Sequence, residues 1–193
     1  MGLDMYLWKK TSLYPFMIPD ACKVEINISG VDPTKVTEIT EKAAYWRKAS
    51  HIHNWFVHHA CEGEDDCKEH WVTKEMMEEL VEKCKTIIHG WEWEEGEEEK
   101  PYMERETCTK KTRKLAEKTL PQVEGFFFGG TEVNGWYLGG CKDTVKQLTP
   151  IIEQLRQVKT ALDSHDMDED GCILQDWASL ETIPFELYYQ SSW

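Results

Sequence analysis

Apolar and polar residues alternate in three segments of the chain. Leu3–Leu7 alternates loosely, Cys22–Ile28 places Val or Ile at every second position, and Phe185–Tyr189 repeats the pattern near residue 193. A period of two is typical of a strand with one buried face. Gly125–Gly130, with its three consecutive phenylalanines, predicts a further buried strand that runs into a turn.

Between these segments, apolar residues recur at steps of three and four, which is the period of an amphipathic helix. The longest such stretch predicts one helix over Pro33–Ala60. Asp32 can cap its first turn, and Pro33 occupies a position that needs no N–H. Thr73 can cap a second helix, whose apolar stripe runs over Met77–Ile88.

Two more helices are predicted further along the chain. A short one spans about Thr109–Leu120, and a long one spans about Asp143–Leu162, where Pro150 should kink or restart it. Strands near both ends with helices between them predict an α+β fold, with a small antiparallel sheet packed against three to four helices. A length of 193 residues suits a single domain over 1–193.

The amino-acid composition indicates the cellular compartment in which the protein is expected. No apolar run approaches the ~20 residues that a membrane span needs, and the first residues lack the basic and apolar regions of a signal peptide. The seven cysteines are odd in number and irregularly spaced, which favours free or metal-bound thiols over a disulfide framework. We therefore expect a cytoplasmic protein without a membrane partner.

Charge is the strongest overall signal. The chain carries 36 acidic and 22 basic residues, a formal net charge of −14. Such a surface repels nucleic acid and attracts proteins with basic surfaces. Solubility alone is the alternative explanation of the same charge.

A charged excursion is predicted at about residues 89–107, where no apolar period is present. Six of the eight residues in Glu92–Glu99 are Glu, and two tryptophans stand beside them. Exposed Trp is a common interface residue. A solvated loop is the alternative. The predicted partner-binding residues are Trp91, Glu92, Trp93, Glu94, Glu95, Glu97, Glu98 and Glu99.

Histidine and cysteine are concentrated in His51–His70, which holds five of the seven histidines and two of the seven cysteines. Imidazole and thiolate suit Zn²⁺, which takes four such ligands in a tetrahedron. His58 and Cys61 are three residues apart at a predicted helix end, and Cys67 and His70 have a C-x-x-H spacing. These four residues are the predicted ligands, and a site with four protein ligands would be structural.

Other residues near this segment have simpler interpretations. His53 lies on the apolar stripe of the predicted first helix, so we expect a core histidine bonded to the backbone. His51 and Trp55 lie on the opposite side, which predicts exposure. Cys84 lies on the second helix's stripe and is predicted to be a small core residue.

Four segments together resemble a family of proteins from tailed phages and prophages. They are the opening Met1–Leu7, the internal Tyr45–Ala49, the later Phe126–Gly129 and the terminal Tyr188–Trp193. The resemblance implies no catalytic residues. It does imply a phage setting, in which small acidic proteins inhibit host nucleases, as anti-CRISPR proteins do by occupying the basic channel of an effector. The leading hypothesis is thus a non-enzymatic inhibitor of a CRISPR effector or similar defence nuclease.

Two other hypotheses stay open. One is a nucleotide- or small-anion-binding protein or enzyme, with a pocket lined by Tyr45, Arg47, His53 and Trp55, because Arg47 is a basic group among aromatic residues. The other is a phage accessory or structural component.

Overall fold

The computed structural model describes residues 2–13, 28–95, 107–163 and 185–193, with side chains described up to residue 157 of the third range. All but the last residue of the predicted strand Cys22–Ile28 lies outside these ranges. So do three of the predicted partner-binding residues, Glu97, Glu98 and Glu99.

Four antiparallel strands form one sheet in the order β2-β1-β4-β3. They are β1 (Asp4–Ser12), β2 (Glu38–Arg47), β3 (His70–Trp71) and β4 (Glu186–Ser192). β1 and β4, which come from opposite ends of the sequence, pair directly at the centre. The predicted α+β fold with strands from both ends is confirmed.

Four helices complete the described part of the fold. They are α1 (Ser50–His59), α2 (Lys74–His89), α3 (Lys110–Thr119) and α4 (Gly135–Asp163). One continuous cluster of buried side chains joins the sheet to the helices, and α2 packs along α4. No helix among the described residues is long and apolar enough to cross a membrane.

Polar side chains start three of these helices. The Thr73 side chain accepts a hydrogen bond from the Met76 amide, as predicted, and the Thr109 side chain does the same for the Thr112 amide. α4 begins eight residues before the predicted Asp143, because Asn134 Oδ1 accepts hydrogen bonds from the first-turn amides. α4 continues through Pro150, without a restart there.

The predicted single helix over Pro33–Ala60 is wrong. A 3-10 turn at Pro33–Lys35, strand β2 and helix α1 occupy that stretch. β2 pairs with β1 along its whole length, and its last half buries alternate residues, Ala44 and Trp46. The ladder pairs the inner edge of β2 with β1, and this pairing with a distant segment, together with the burial of Ala44 and Trp46, overrides a local helical period.

The predicted buried strand at Gly125–Gly130 is also wrong. The segment is a turn in which the Phe128 amide donates to the Gly125 carbonyl, and the Phe126 side chain is 95% exposed. Gly125 has no side chain where the Phe128 ring packs, and Gly129 has a φ of +88°, which glycine adopts without strain. Local turn chemistry therefore outweighs the apolar character of the three phenylalanines.

Candidate ligand-binding cleft

A cleft of about 830 Å³ lies between the end of β2 and the first turns of α4. Its helical wall consists of Trp136, Gly139, Gly140 and Asp143, whose spacing of three, four and seven residues places them on one helix face. Its opposite wall is Tyr45–Ala49, all five residues of which line the cleft. The volume falls within the range typical of small-molecule sites.

Side-chain hydrogen bonds hold the strand against the helix. The Gln147 carboxamide bonds both backbone groups of Tyr45, accepting from its amide at 2.9 Å and donating to its carbonyl at 3.1 Å. One turn earlier on α4, Thr144 Oγ1 accepts a hydrogen bond from Trp46 Nε1 at 2.9 Å. The two walls are therefore preformed, which lowers the cost of binding a ligand.

His51, in the first turn of α1, lies at the floor of the cleft. It is only 2% exposed, and its ring stacks on Tyr137 with 4.0 Å between centroids. A Cβ at Gly140 would lie 3.0 Å from His51 Nε2, so the absence of a side chain at Gly140 is what admits the imidazole. Burial lowers the His51 pKa to about 3, and the imidazole is neutral at physiological pH.

Two polar atoms on the cleft lining are buried without a hydrogen-bond partner. They are His51 Nε2 and Gln122 Nε2, two of four such side-chain atoms among the described residues. The other end of the Gln122 carboxamide accepts a hydrogen bond from Ser50 Oγ, which fixes its orientation. Each unsatisfied buried group costs about 1–3 kcal/mol, so each calls for a partner such as a water, an ion or a ligand.

The rim combines aromatic and charged side chains. Trp136 is 60% exposed and Tyr45 is 36% exposed. Arg47 and Lys48 supply two positive charges, and Glu132 before α4 and Asp143 on α4 supply two negative ones. The lining therefore carries equal numbers of the two charges in a chain whose net charge is −14.

The N-terminus of α1 adds partial positive charge to the cleft lining. Ala49 is its N-cap residue and lines the cleft, and no side chain caps the helix. The first amides of a helix carry a partial positive charge that favours anions. Arg47 and Lys48 directly precede this helix end, so the strand wall is the positive wall.

The pocket predicted from the sequence is right in part. Tyr45 and Arg47 line the cleft, whereas His53 and Trp55 are not among its lining residues. The exposure predicted for His51 and Trp55 is wrong, because both side chains are buried. The expectation of exposure depended on one long helix over Pro33–Ala60, which the structure does not have. The two consecutive glycines of α4 are a sequence signal of close packing, because glycine is unfavourable in a helix interior, but they do not identify His51 as the neighbour.

His53 is a core histidine, as predicted, but side chains bind it in place of the predicted backbone. Its Nδ1 lies 2.7 Å from the Tyr189 hydroxyl and its Nε2 lies 3.1 Å from Asp65 Oδ2. Burial raises the pKa of Tyr189, so the hydroxyl stays protonated and donates to Nδ1. Nε2–H then donates to Asp65. Cys84, also as predicted, is fully buried.

The predicted zinc ligands differ in exposure and in bonding partners. His58 is exposed, whereas Cys61 is buried and its pKa is raised to about 12 by burial and by nearby Asp65 and Asp66. His70 Nε2 bonds Asp66 Oδ1 at 2.7 Å. Within the described ranges, no three His, Cys, Asp or Glu side chains are grouped so that they could hold a metal ion. Zinc at His58, Cys61, Cys67 and His70 stays a prediction.

The described part of the acidic excursion packs against the helices. Trp91 and Trp93 are half-buried, with ring centroids 5.2 Å apart. Glu92 pairs with Lys111, and Glu94 accepts a hydrogen bond from the Thr107 hydroxyl. The tryptophans thus contribute to packing, and Glu95 is exposed at the edge of the described segment. The role of this segment in partner binding stays a prediction.

Gly129 and Lys48, which come from distant segments of the chain, pack against each other on the cleft lining. No protein-family model matches the chain, and neither the curated proteins nor the solved structures contain a match to it.

Proposed function

We propose that the protein is a non-enzymatic binding protein whose cleft holds a small organic anion. The observation that carries this proposal is the pair of unpartnered nitrogens, His51 Nε2 and Gln122 Nε2, on the lining of one preformed cleft. A ligand with polar groups at the cleft floor would satisfy both atoms. The described residues that line the cleft include no serine, threonine or cysteine that could act as a nucleophile.

The positive wall supports a negatively charged ligand. Arg47, Lys48 and the uncapped N-terminus of α1 lie consecutively along the chain at this wall. In a protein with a net charge of −14, anions are repelled from most of the surface. A concentration of positive groups at a cleft therefore favours a specific anionic ligand over general attraction.

Thermal denaturation with a panel of small anions tests the proposal. The panel contains inorganic phosphate, di- and tricarboxylates, sugar phosphates and nucleotides, each added to the full chain. At least one organic anion should raise the midpoint, and Arg47→Gln should weaken its binding about tenfold, because a hydrogen bond to a charged group is lost.

Lys35→Gln is the matched control for Arg47→Gln. Lys35 is an exposed basic residue on the 3-10 turn and does not line the cleft. Its loss should leave the affinity unchanged. Absence of stabilisation by every anion in the panel would contradict the proposal, as would equal effects of the two substitutions.

A second candidate function is favoured by the net charge of −14. In this alternative the protein is a phage-encoded inhibitor in the host cytoplasm that covers the basic nucleic-acid channel of a CRISPR effector or similar nuclease. Glu92, Glu94 and Glu95 would contribute to the acidic surface. A structural zinc in the His51–His70 segment would fix the neighbouring acidic loop.

Binding to a purified effector nuclease tests this alternative. The complex should weaken steeply with salt and on reversal of Glu92, Glu94 and Glu95 to Lys, because both changes reduce electrostatic attraction. Reversal of Glu38 and Glu41 on the distant edge strand is the control. If the nuclease cleaves its target at an unaltered rate in the presence of an equimolar amount of this protein, the alternative is ruled out.

A further inference from the structure

We infer that the anion is a nucleoside monophosphate, with its base on Trp136 and its phosphate at the positive wall. This inference rests on the proposed function and specifies its ligand. It uses three features of the cleft that a simple anion would leave unexplained: an exposed indole, a neutral floor, and a balanced set of charges at the rim.

The exposed indole supplies a stacking surface. Trp136 is 60% exposed on the first turn of α4, and no aromatic ring among the described residues stacks on it. Its backbone is fixed, since Asn134 Oδ1 accepts a hydrogen bond from the Trp136 amide at 3.0 Å. Bases stack on such aromatic side chains regardless of their sequence identity.

The neutral floor suits the edge of a base. Trp136 and Gly140 are one turn apart on the same face of α4, about 6 Å along the helix axis, and His51 packs on Gly140. A neutral imidazole nitrogen donates or accepts a hydrogen bond, and the Gln122 Nε2 donates. The polar edge of a base presents both kinds of partner.

The phosphate belongs beside Arg47 and Lys48. These two residues lie between Trp46, which bonds Thr144, and Ala49, which packs against Gly140, so their backbone lies about 6–12 Å from Trp136 along the axis of α4. A ribose separates the base from the phosphate in a nucleotide. The ligand would then occupy the whole length of the helical wall.

The charge balance selects for one phosphate. Arg47, Lys48, Glu132 and Asp143 line the cleft, and Arg47 Nε also lies 3.9 Å from Asp4 Oδ1, so the lining provides no excess positive charge for a polyphosphate. The net charge of −14 further repels multiply charged anions. A monophosphate should therefore bind more tightly than the matching triphosphate.

Isothermal titration calorimetry on the full chain tests the inference with four probe classes. These are nucleoside monophosphates of all four bases, the corresponding nucleosides and triphosphates, and ribose 5-phosphate. At least one monophosphate should bind about tenfold or more tightly than ribose 5-phosphate, as expected for one stacked base. It should also bind more tightly than its triphosphate.

Trp136→Ala should remove that tenfold advantage, and Trp136→Phe should restore most of it. Trp71→Ala is the matched control, since Trp71 is 59% exposed on β3 and does not line the cleft. Both positions are exposed, so neither substitution threatens folding, and circular dichroism checks this.

The outcomes separate the two proposals. If ribose 5-phosphate or a carboxylate binds as tightly as any nucleotide and Trp136→Ala has no effect, the nucleotide inference is overturned while anion binding in the cleft stands. If triphosphates bind most tightly, the charge argument and with it the monophosphate assignment is overturned. If no anion of either panel binds, both proposals fail.

Discussion

At the scale of single residues, two neighbouring glycines in α4 have different surroundings. A Cβ at Gly139 would meet no atom within 4 Å, whereas a Cβ at Gly140 would lie 2.8 Å from His51 Cε1. Gly140 is therefore required by a close approach between α4 and α1. Gly139 has no such neighbour in the described structure, so the backbone freedom of this glycine lowers the stability of the helix without a compensating contact.

Alanine substitution should consequently have opposite effects at the two positions. Gly139→Ala should raise the free energy of unfolding by about 0.5–1 kcal/mol through helix propensity. Gly140→Ala should lower it by about 1–3 kcal/mol because the methyl group overpacks against His51. Urea denaturation measures both. A stabilising Gly140→Ala would show that the imidazole moves aside at little cost.

At the scale of elements, a buried hydrogen-bond network joins α1, the loop before β3, and β4. His53 of α1 bonds Tyr189 of β4 through Nδ1 and Asp65 of the loop through Nε2. Asp65 also accepts a hydrogen bond from Ser191 Oγ at 2.9 Å. The network satisfies polar groups inside a core that includes the Tyr189–Phe56 ring stack.

Tyr189→Phe should therefore lower the free energy of unfolding by about 1–3 kcal/mol, because it leaves the buried His53 Nδ1 without its donor. The ring and its stack on Phe56 remain. Tyr188→Phe is the control on the adjacent residue, whose hydroxyl bonds only the exposed Glu186, and it should cost less than about 0.5 kcal/mol. Equal losses at the two positions would contradict a structural role for the network.

At the scale of the whole molecule, two neutral buried histidines link stability to pH. Burial lowers the pKa of His51 to about 3 and also lowers the pKa of His53, despite the opposing charge of Asp65. In the unfolded chain both titrate near 6.5. The unfolded state therefore binds more protons below that pH, and stability falls as the pH decreases.

We expect the free energy of unfolding to fall between pH 6.5 and 4.5, by up to about 1.4 kcal/mol per pH unit for each histidine. Urea denaturation across this range measures the slope. His53→Gln should flatten this slope, whereas His58→Gln, at an exposed position, should not.

The lowered pKa of Asp66 affects stability only at lower pH, because the stability that this carboxylate contributes is lost only as the pH approaches the pKa of the carboxyl group in the unfolded chain. A stability independent of pH over the range would contradict the neutral state of both histidines.

The sequence by itself determined the features that depend on neighbouring residues. Thr73 and Thr109 start helices because their hydroxyls accept from amides three residues on, and alternation near both ends predicted β1 and β4. The apolar stripe of α2 also predicted Cys84 in the core. In each case the stabilising partner is close along the chain or is simply the apolar interior.

Only the tertiary structure decided β2 and the cleft. β2 has a helix-like period, but its pairing with β1 and the burial of Ala44 and Trp46 override that period, because tertiary packing outweighs a weak local preference. Tyr45 and Arg47 were predicted pocket residues, yet His51, Gln122 and Gly140 complete the lining from three distant segments. The contact between Gly140 and His51 spans most of the described chain. No local pattern specifies such a contact, which arises only when strand pairing sets the position of α1 against α4.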